Sequence, residues 1–194
     1  MHAAADVTIA DHTVTLSNEV IALRAFQLDD AAAIYEAVCE SKNELGRWLS
    51  WCHPEYSLQD TLQFLNSRAE ALRRDGEHGF AILERATGRL VGATGINQVE
   101  PAALRANLGY WLRTSALGRG YATQATRLVA AWALGEHGLE RVEIVAAVGN
   151  QESQRVAIRV GAQREGIARA RLRVHGVQHD AVVFSLTRAD VASW

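Results

Sequence analysis

Two glycines that lead straight into a helix pattern are the first feature of this chain that could bind a ligand. Residues 115–120 read SALGRG, and apolar positions recur every three or four residues from Tyr121 onward. The first amides of a helix have no partner within it, and glycine lets a ligand approach the backbone closely. The amides of Gly118 to Tyr121 could therefore hold a phosphate group, with the Arg119 guanidinium beside it. A tight strand-to-helix turn is the alternative role for the two glycines.

A second polar segment follows about thirty residues later. The strand pattern RVEIVAAV at 141–148 leads into GNQESQR at 149–155, and a short helix pattern then closes at Gly161. An Asx turn is the structural role open to Asn150, and an N-cap or first-turn position of the helix is the one open to Ser153. Capping would also direct both side chains toward the glycine turn, so a structural role and a role in ligand binding are compatible here.

Composition limits the class of partner and the compartment. The chain has 194 residues, 48% of them apolar and 22% charged, which predicts one globular domain. Its 20 basic and 22 acidic residues give a net charge of −2, so nothing favours nucleic acid. Cys39 and Cys52 lack the spacing of a disulfide framework or a zinc site, and we expect no metal. No signal-peptide pattern and no membrane-length apolar run is present, which predicts a cytoplasmic protein without a membrane partner.

The hydrophobic periodicity predicts a single α/β domain over residues 1–194, whose first twelve residues need not be ordered. The central sheet is expected to be mixed, mostly antiparallel and flanked by helices. One parallel crossover is expected, from Leu108 through the Tyr121 helix to Val142. The further predicted elements are a strand pair or bent strand at 13–26, a helix from Asp29, a tryptophan segment at 45–55 that is loop-like around Pro54, a helix from the N-cap Ser57 to Arg74, a hairpin at 79–99, Gly138 as C′ residue of the Tyr121 helix, and a last hairpin around 175–176.

The two polar segments together resemble the paired acyl-CoA motifs of the GNAT N-acetyltransferases. The matching stretches are LGYWLRTSALGRGYATQA at 108–125 and VGNQESQRVAIRVGAQREG at 148–166. LGRWLSW at 45–51 and GINQVEP at 95–101 also resemble the RimJ/RimL branch, whose founding members acetylate the N-termini of ribosomal proteins. The resemblance covers nearly the whole chain and implies a single GNAT-like domain.

The resemblance assigns most of the site to the acyl donor, acetyl-CoA. It implies that the turn comprising Gly118, Arg119, Gly120, Tyr121 and Ala122 binds the pyrophosphate. It implies further that the strand end at Leu112, Arg113 and Thr114 pairs with the pantetheine arm, beside a neighbouring strand that splays away. Asn150 matches the position that holds the pantetheine amides. Ser153 matches a hydroxyl that can protonate the departing thiolate.

Departures from the family pattern leave the general base unassigned. Ser115 stands where the family usually carries Gln or Arg, and Glu165-Gly166 is not followed by the usual acid. Glu100 is the first substitute as base, because it ends the strand next to LGYWL, and His53 in the tryptophan loop is the second. A surface carboxylate and a solvated loop histidine are the alternatives for these two residues.

The acceptor side is expected near Trp48 and Trp51, which flank the place where the family's substrate enters. Two tryptophans three residues apart are equally compatible with a place in the core. Arg169, Arg171 and Arg173 alternate with apolar residues along a strand. They fit a solvated edge or, alternatively, a surface for an acidic substrate tail.

The resemblance predicts an enzyme that transfers acetyl directly from acetyl-CoA to an amine, without a metal and without a covalent enzyme intermediate. The expected acceptor is the α-amino group of a protein or peptide N-terminus, such as that of a ribosomal protein. Alternatives are acetylation of a small-molecule amine, a non-catalytic acyl-CoA sensor or scaffold, and general binding of a nucleotide phosphate. The protein is expected to be a monomer or a homodimer.

Overall fold

In the computed structural model, which describes residues 6–10, 13–192 and 194, nine strands form one sheet. The strands are β1 (Asp6–Ala10), β2 (Thr13–Ser17), β3 (Ile21–Ala25), β4 (His78–Glu84), β5 (Leu90–Glu100), β6 (Arg105–Leu112), β7 (Arg141–Ala147), β8 (Gln163–Val174) and β9 (Val177–Thr187). The helices are α1 (Ala31–Glu40), α2 (Lys42–Gly46), α3 (Leu58–Asp75), α4 (Tyr121–Leu134), α5 (Gln151–Arg159) and α6 (Arg188–Val191). Short 3₁₀ turns lie at Leu28–Asp30, Pro101–Ala103 and Thr114–Ala116.

The strand order β1-β2-β3-β4-β5-β6-β7-β9-β8 contains one parallel pair, β6 with β7, and α4 makes the crossover between them. This confirms the predicted mixed sheet and its parallel connection. The parallel pairing joins Arg105–Asn107 to Arg141–Glu143 and stops there. Beyond that point β6 stays paired with β5 as far as Leu112, and β7 stays paired with β9 as far as Ala147. The two strands therefore diverge and leave a slot in the middle of the sheet.

Helices cover both faces of the sheet, because successive side chains of a strand point to opposite faces. On one face Leu108 and Ile144 pack with α4 in a core cluster that also includes Phe80 and Trp132. On the other face α1 and α3 pack over β4 and β5 in a second cluster: Ile34, Ala37, Val38, Leu45, Cys52, Tyr56, Leu65, Ala81 and Leu90. Each large apolar side chain buried in this way contributes ~1.5–3 kcal/mol.

The long helix α3 begins where its capping residues predict. The Ser57 hydroxyl accepts a hydrogen bond from the Asp60 amide, and the Asp60 carboxylate accepts one from the Ser57 amide at 2.8 Å. This reciprocal capping box satisfies two donors that the helix itself leaves unpaired. The helix ends at Asp75, and Gly76 follows in the left-handed conformation at φ +65°.

Helix α4 ends at Leu134, so the prediction that Gly138 is its C′ residue is wrong. Gly135 is the C-cap instead. The His137 amide donates to the Trp132 carbonyl, and the Leu139 amide donates to the Ala133 carbonyl. These bonds occupy the last carbonyls of the helix and close the turn early.

Segment 45–55 is irregular around Pro54, as predicted, but its first two residues, Leu45 and Gly46, belong to α2. The Leu45 amide donates to the Ser41 carbonyl at 2.9 Å, and the Leu45 side chain is buried in the second core cluster. Burial of this one leucine makes a short helix more favourable than a solvated loop. The rest of the tryptophan segment, residues 47–55 with Trp48 and Trp51, follows it as an irregular turn.

Strand β8 forms one edge of the sheet, and Arg169, Arg171 and Arg173 on it are exposed. The pairing of β8 with β9 shifts near Ala170, which has a positive φ of +49°. This arrangement fits the solvated edge. Of the first twelve residues, 6–10 form β1 and the others lie outside the described residues. Within the described ranges, every helix falls short of the length and apolar character that crossing a bilayer demands.

Candidate active site

The slot between β6 and β7 opens into a cleft of about 1560 Å³ that is lined from both faces of the sheet. On the α4 face the lining includes the glycine turn and α5. On the α3 face it includes the tryptophan segment. Most of the candidate residues line this cleft: Trp48, Trp51, His53, Leu112, Thr114, Gly118, Gly120, Tyr121, Ala122, Asn150 and Ser153.

The glycine turn presents a row of free amides to this cleft. Gly118 and Gly120 have φ values of +77° and +79°, a region that favours glycine. Gly120 is the N-cap of α4, and no side chain caps the helix. Within the described residues, no hydrogen bond uses the amides of residues 118–123. A left-handed turn with uncapped amides at a helix N-terminus suits an anion such as a diphosphate.

Glu84, at the end of β4, holds two side chains of this turn. The Tyr121 hydroxyl donates to the Glu84 carboxylate in a short hydrogen bond, and Arg119 Nη1 lies 3.4 Å from Glu84 Oε1. Hydrogen bonds from Thr87 and Tyr121 hold the pKa of Glu84 below its usual range. The Arg119 guanidinium is therefore engaged with Glu84 and lies outside the lining of the cleft.

The strand end at 112–114 divides into one residue at the slot and two that are engaged elsewhere. Leu112 lies where β6 has left β7. The Arg113 amide donates to the Val91 carbonyl, and the Arg113 carbonyl accepts from the Ala116 amide. The Thr114 amide donates to Ser41 Oγ at 2.8 Å. Leu112 and Thr114 both line the cleft, but the Thr114 amide is already bonded to Ser41.

The Arg113 side chain turns away from the cleft and is buried against α1. Its Nε donates to Glu40 Oε2 at 2.8 Å, and its Nη2 donates to Glu36 Oε1 at 2.5 Å. Hydrogen bonds from Arg113 and the Ser115 amide lower the pKa of Glu40 to about 2. Arg113 thus anchors the end of β6 to α1.

Helix α5 brings Asn150 and Ser153 to the α4 face of the slot. Asn150 is the N-cap, and its Oδ1 accepts a hydrogen bond from the Ser153 amide at 3.1 Å, so the capping alternative is realised. The Asn150 Nδ2 remains as a donor toward the cleft. The Ser153 hydroxyl lies 3.1 Å from the Tyr110 hydroxyl of β6, and burial raises the pKa of Tyr110 to about 12.

Aromatic side chains line the cleft on the α3 face. Trp51 is 40% exposed, and its ring centroid lies 5.9 Å from those of Tyr56 and Trp111. Trp48 packs so closely on Gly149 that a Cβ there would lie 3.0 Å from its ring. The tryptophan segment therefore touches the start of the Asn150 loop and closes over the slot.

His53 lines the same cleft, and Glu100 does not. His53 Nδ1 lies 3.6 Å from Glu55, and Nε2 lies 3.7 Å from Asp60. Glu100 instead accepts two hydrogen bonds from Arg105, at 3.0 and 2.8 Å, which hold its pKa below the usual range. Glu100 therefore lies outside the lining of the cleft, and its arginine partner makes the carboxylate less basic, so this position does not favour the prediction that Glu100 replaces the base.

Three residues that line the cleft were not predicted from the sequence: Asn97, Asn107 and Tyr110. Asn107 Nδ2 donates to Asn97 Oδ1 at 2.9 Å where the slot begins. Within the described residues, Asn107 Oδ1 is the single buried side-chain oxygen or nitrogen without a hydrogen-bond partner. The Tyr110 hydroxyl lies beside that of Ser153, as described above. The alternation of LGYW and its neighbours could have placed these side chains on faces, but their partners come from other strands and helices.

Among the described residues, no group of three or more His, Cys, Asp or Glu side chains is arranged to hold a metal ion. The free amides of the glycine turn and the slot beyond it fit a diphosphate joined to an extended arm. The donors that could hold such a ligand are the amides of residues 118–123 and the Asn150 side-chain amide.

A family model described as an acetyltransferase (GNAT) domain matches residues 21–163. The matched range includes the glycine turn, the slot and α5.

Individual proteins with known names are similar over most of their length. YdaF of Bacillus subtilis (strain 168), provisionally named a ribosomal N-acetyltransferase, is 32% identical over 179 residues, which cover 89% of this chain and 94% of YdaF. The ribosomal-protein-serine acetyltransferase of Escherichia coli (strain K12) is 28% identical over 149 residues, 77% of this chain and 82% of that protein. The solved structure of RimL, a ribosomal-protein α-N-acetyltransferase in complex with coenzyme A, has a TM-score of 0.80 at 24% identity, covering 88% of this chain and 95% of RimL. The likeness to RimL concerns the fold.

Proposed function

The chain belongs to the acetyltransferase (GNAT) family, and from this premise we propose that it transfers the acetyl group of acetyl-CoA to the α-amino group of a protein or peptide N-terminus. The observation that carries the proposal is the slot between β6 and β7. The slot connects a phosphate-binding turn on one face of the sheet with an aromatic cleft on the other. A donor and an acceptor can thus meet from opposite faces.

On the donor face, the chain's own groups suit the pyrophosphate and the pantetheine arm of acetyl-CoA. The amides of Gly118 to Ala122 would hold the pyrophosphate, and Arg119 would add a charge if it turned from Glu84. Leu112 and Asn150 would contact the pantetheine arm. Acetyl-CoA supplies an activated thioester whose acetyl group the amine can accept directly.

On the acceptor face, Trp48 and Trp51 would contact the residues next to the reacting amine, with His53 at the rim. Aromatic rings offer a large contact area at a low entropic cost. Burial beside them also lowers the pKa of an amine, which favours the neutral form that attacks the thioester.

The missing base favours an α-amine as acceptor over a lysine side chain. An α-amino group with a pKa of about 7.8 is roughly 14% neutral at pH 7, whereas a lysine with a pKa of about 10.4 is roughly 0.04% neutral. The difference is about 3.5 kcal/mol of deprotonation that the enzyme need not supply. The names of YdaF and of the Escherichia coli protein, which refer to ribosomal acceptors, support the same class.

Mass spectrometry of paired peptides tests this proposal. One peptide carries a free N-terminus and an internal lysine, and its control has the same sequence with a blocked N-terminus. We expect acetylation at neutral pH of the first peptide, at its N-terminus, and almost none of the control. Preferential acetylation of the lysine would contradict the α-amine proposal. Binding of acetyl-CoA without transfer to any of a panel of peptides and small amines would instead indicate a sensor or scaffold.

A further inference from the structure

The Tyr110 hydroxyl reaches Ser153 in a way that bears on what Ser153 can do. It lies 3.0 Å from the Ser153 carbonyl oxygen and 3.1 Å from Ser153 Oγ. Tyr110 is partly buried and lines the cleft from β6, whereas Ser153 lines it from α5. The two hydroxyls therefore meet across the slot, one from each side.

Counting hydrogens shows why the direction of this bond matters. The Tyr110 hydroxyl has one hydrogen, and the Ser153 carbonyl oxygen, 3.0 Å away, can only accept it, while the Ser153 amide is already used by Asn150 Oδ1. If the Ser153 hydroxyl donated to Tyr110, its hydrogen would be occupied and could not reach a ligand. If Tyr110 shares its one hydrogen between the Ser153 carbonyl oxygen and Ser153 Oγ, the Ser153 hydrogen is free to point into the cleft. An anion in the cleft selects the second arrangement, because it needs a donor.

We propose that Tyr110 is a positioning residue, whose hydroxyl shares its hydrogen between the carbonyl oxygen and Oγ of Ser153 and thereby leaves the Ser153 hydrogen free for the sulfur of the bound acyl donor. The inference rests on the proposed function and adds a residue to the mechanism of that site. Tyr110 acts through Ser153 and not on the substrate itself.

The pair stabilises the leaving sulfur by hydrogen bonding and keeps its own protons. As the amine nitrogen bonds to the thioester carbon, the carbon–sulfur bond breaks and the sulfur keeps the electron pair. The proton that the amine loses passes to solvent. A thiol with a pKa of about 8.5 is a far stronger acid than Tyr110 at about 12, so moving a proton from Tyr110 to the sulfur is disfavoured by roughly 10³-fold. This replaces full protonation by Ser153 with a hydrogen bond from it.

Titration of the thiol of bound coenzyme A tests the inference without turnover. The thiolate is followed by its ultraviolet absorbance in complexes of the parent, Tyr110→Phe, Ser153→Ala and the double variant. We expect the thiol pKa to be lowest in the parent, about 0.5–1 unit higher in Tyr110→Phe, and equal in Ser153→Ala and the double variant. The other ionisable side chains that face this region of the cleft are unchanged throughout: His78, Tyr121, Glu152, Arg155 and Arg159.

Steady-state kinetics gives a second readout, with Tyr35→Phe as matched control. Tyr35 lies on α1, stacked on Tyr56 and outside the cleft lining, so losing its hydroxyl should leave kcat unchanged. We expect Tyr110→Phe to lower kcat about 3- to 30-fold with KM for acetyl-CoA within about twofold. In the Ser153→Ala background the same change should cost nothing more.

Two results would overturn the inference while leaving the proposed function intact. One is an equal thiol pKa in the parent and Tyr110→Phe when both bind coenzyme A. The other is an equal loss of kcat from Tyr110→Phe with and without Ser153, which would indicate a structural role. Failure of the parent to bind coenzyme A would overturn both the inference and the proposed function.

Discussion

Arg113 illustrates how the surroundings of a residue decide its role. The resemblance places it on the strand that pairs with the cofactor, but its guanidinium is buried and shared between Glu36 and Glu40 of α1. The neighbouring Ser115 amide also bonds to Glu40 of α1, and the Thr114 amide bonds to Ser41, the C-cap of α1. This cluster keeps the end of β6 in place just before the glycine turn, so its effect on the site is indirect.

Replacing Arg113 by Ala should therefore destabilise the fold. The change leaves Glu40 without its main partner, and we expect the free energy of unfolding to fall by about 2–3 kcal/mol, less than for a fully buried pair because Glu40 is partly exposed. Urea denaturation of the parent and the variant measures this loss. Arg73→Ala, at an exposed position of α3, is the matched control and should change stability by less than about 0.5 kcal/mol. A loss as small as the control's would show that the cluster contributes little.

Trp51 is the residue through which the acceptor site is most easily tested. Its ring is 40% exposed, so Trp51→Ala should fold normally. We expect KM for a peptide acceptor to rise about 3- to 10-fold, the worth of one aromatic contact, while the affinity for acetyl-CoA stays constant. Trp194→Ala removes a tryptophan that packs on Arg127 instead and serves as control. Equal KM values in the parent and Trp51→Ala would place the acceptor elsewhere.

At the scale of elements, the slot left by β6 and β7 is flanked by two helices that begin in different ways. Helix α4 begins at a left-handed glycine with its amides uncapped, whereas α5 begins at Asn150, whose side chain caps the first turn. The uncapped helix is suited to an anionic ligand, and the capped one to presenting Ser153. Both follow strands that diverge, so their first turns face the same opening.

Replacing Gly120 by Glu should abolish binding at the turn. The new side chain would carry a negative charge into the row of free amides and would strain a backbone with φ +79°. We expect the affinity for coenzyme A, measured by calorimetry, to fall at least about 100-fold. Gly88→Glu is the matched control, because Gly88 has a similar φ of +71° in the turn between β4 and β5. Parent-like binding by the Gly120 variant would mean that the phosphate site has been assigned wrongly.

At the scale of the whole molecule, a small aromatic cluster joins the sheet to α4 and couples stability to pH. The His78 ring lies 4.8 Å from the Trp132 ring and 4.8 Å from the His137 ring. Burial, together with the nearby His137, lowers the pKa of His78 to about 4. The folded protein therefore resists protonation of a side chain that the unfolded chain protonates near pH 6.5.

Stability should consequently fall as the pH falls from about 6.5 toward 4. In this window the unfolded chain binds more protons than the folded one, so the free energy of unfolding rises with pH. The contribution of His78 to stability is fully present above about pH 6.5. Between pH 7 and pH 5, we expect the free energy of unfolding of His78→Phe to fall by about 1 kcal/mol less than that of the parent. The effect is not larger because part of the His78 ring is in contact with water. Urea denaturation at both pH values measures the difference. Identical losses in the two proteins would show that His78 does not titrate in this way.

The sequence by itself determined the features that depend on neighbouring residues. The Ser57 cap, the glycine turn at 118–120 and the Asn150 cap are all short-range, because each is set by residues within one turn of chain. The alternation of the strands and the crossover before Val142 determined the mixed sheet with its one parallel pair. The family could be identified from these local patterns alone.

Only the tertiary structure decided where long side chains reach and which groups meet across elements. Glu100 follows a bulge at Gln98, where φ is +49° and the pairing of β5 with β6 shifts, so Glu100 turns to Arg105 and away from the cleft. Tyr110 meets Ser153 from 43 residues away, and Arg113 meets Glu36 from 77. Such partners depend on the register and packing of whole elements, and a local sequence pattern specifies neither the register nor the packing.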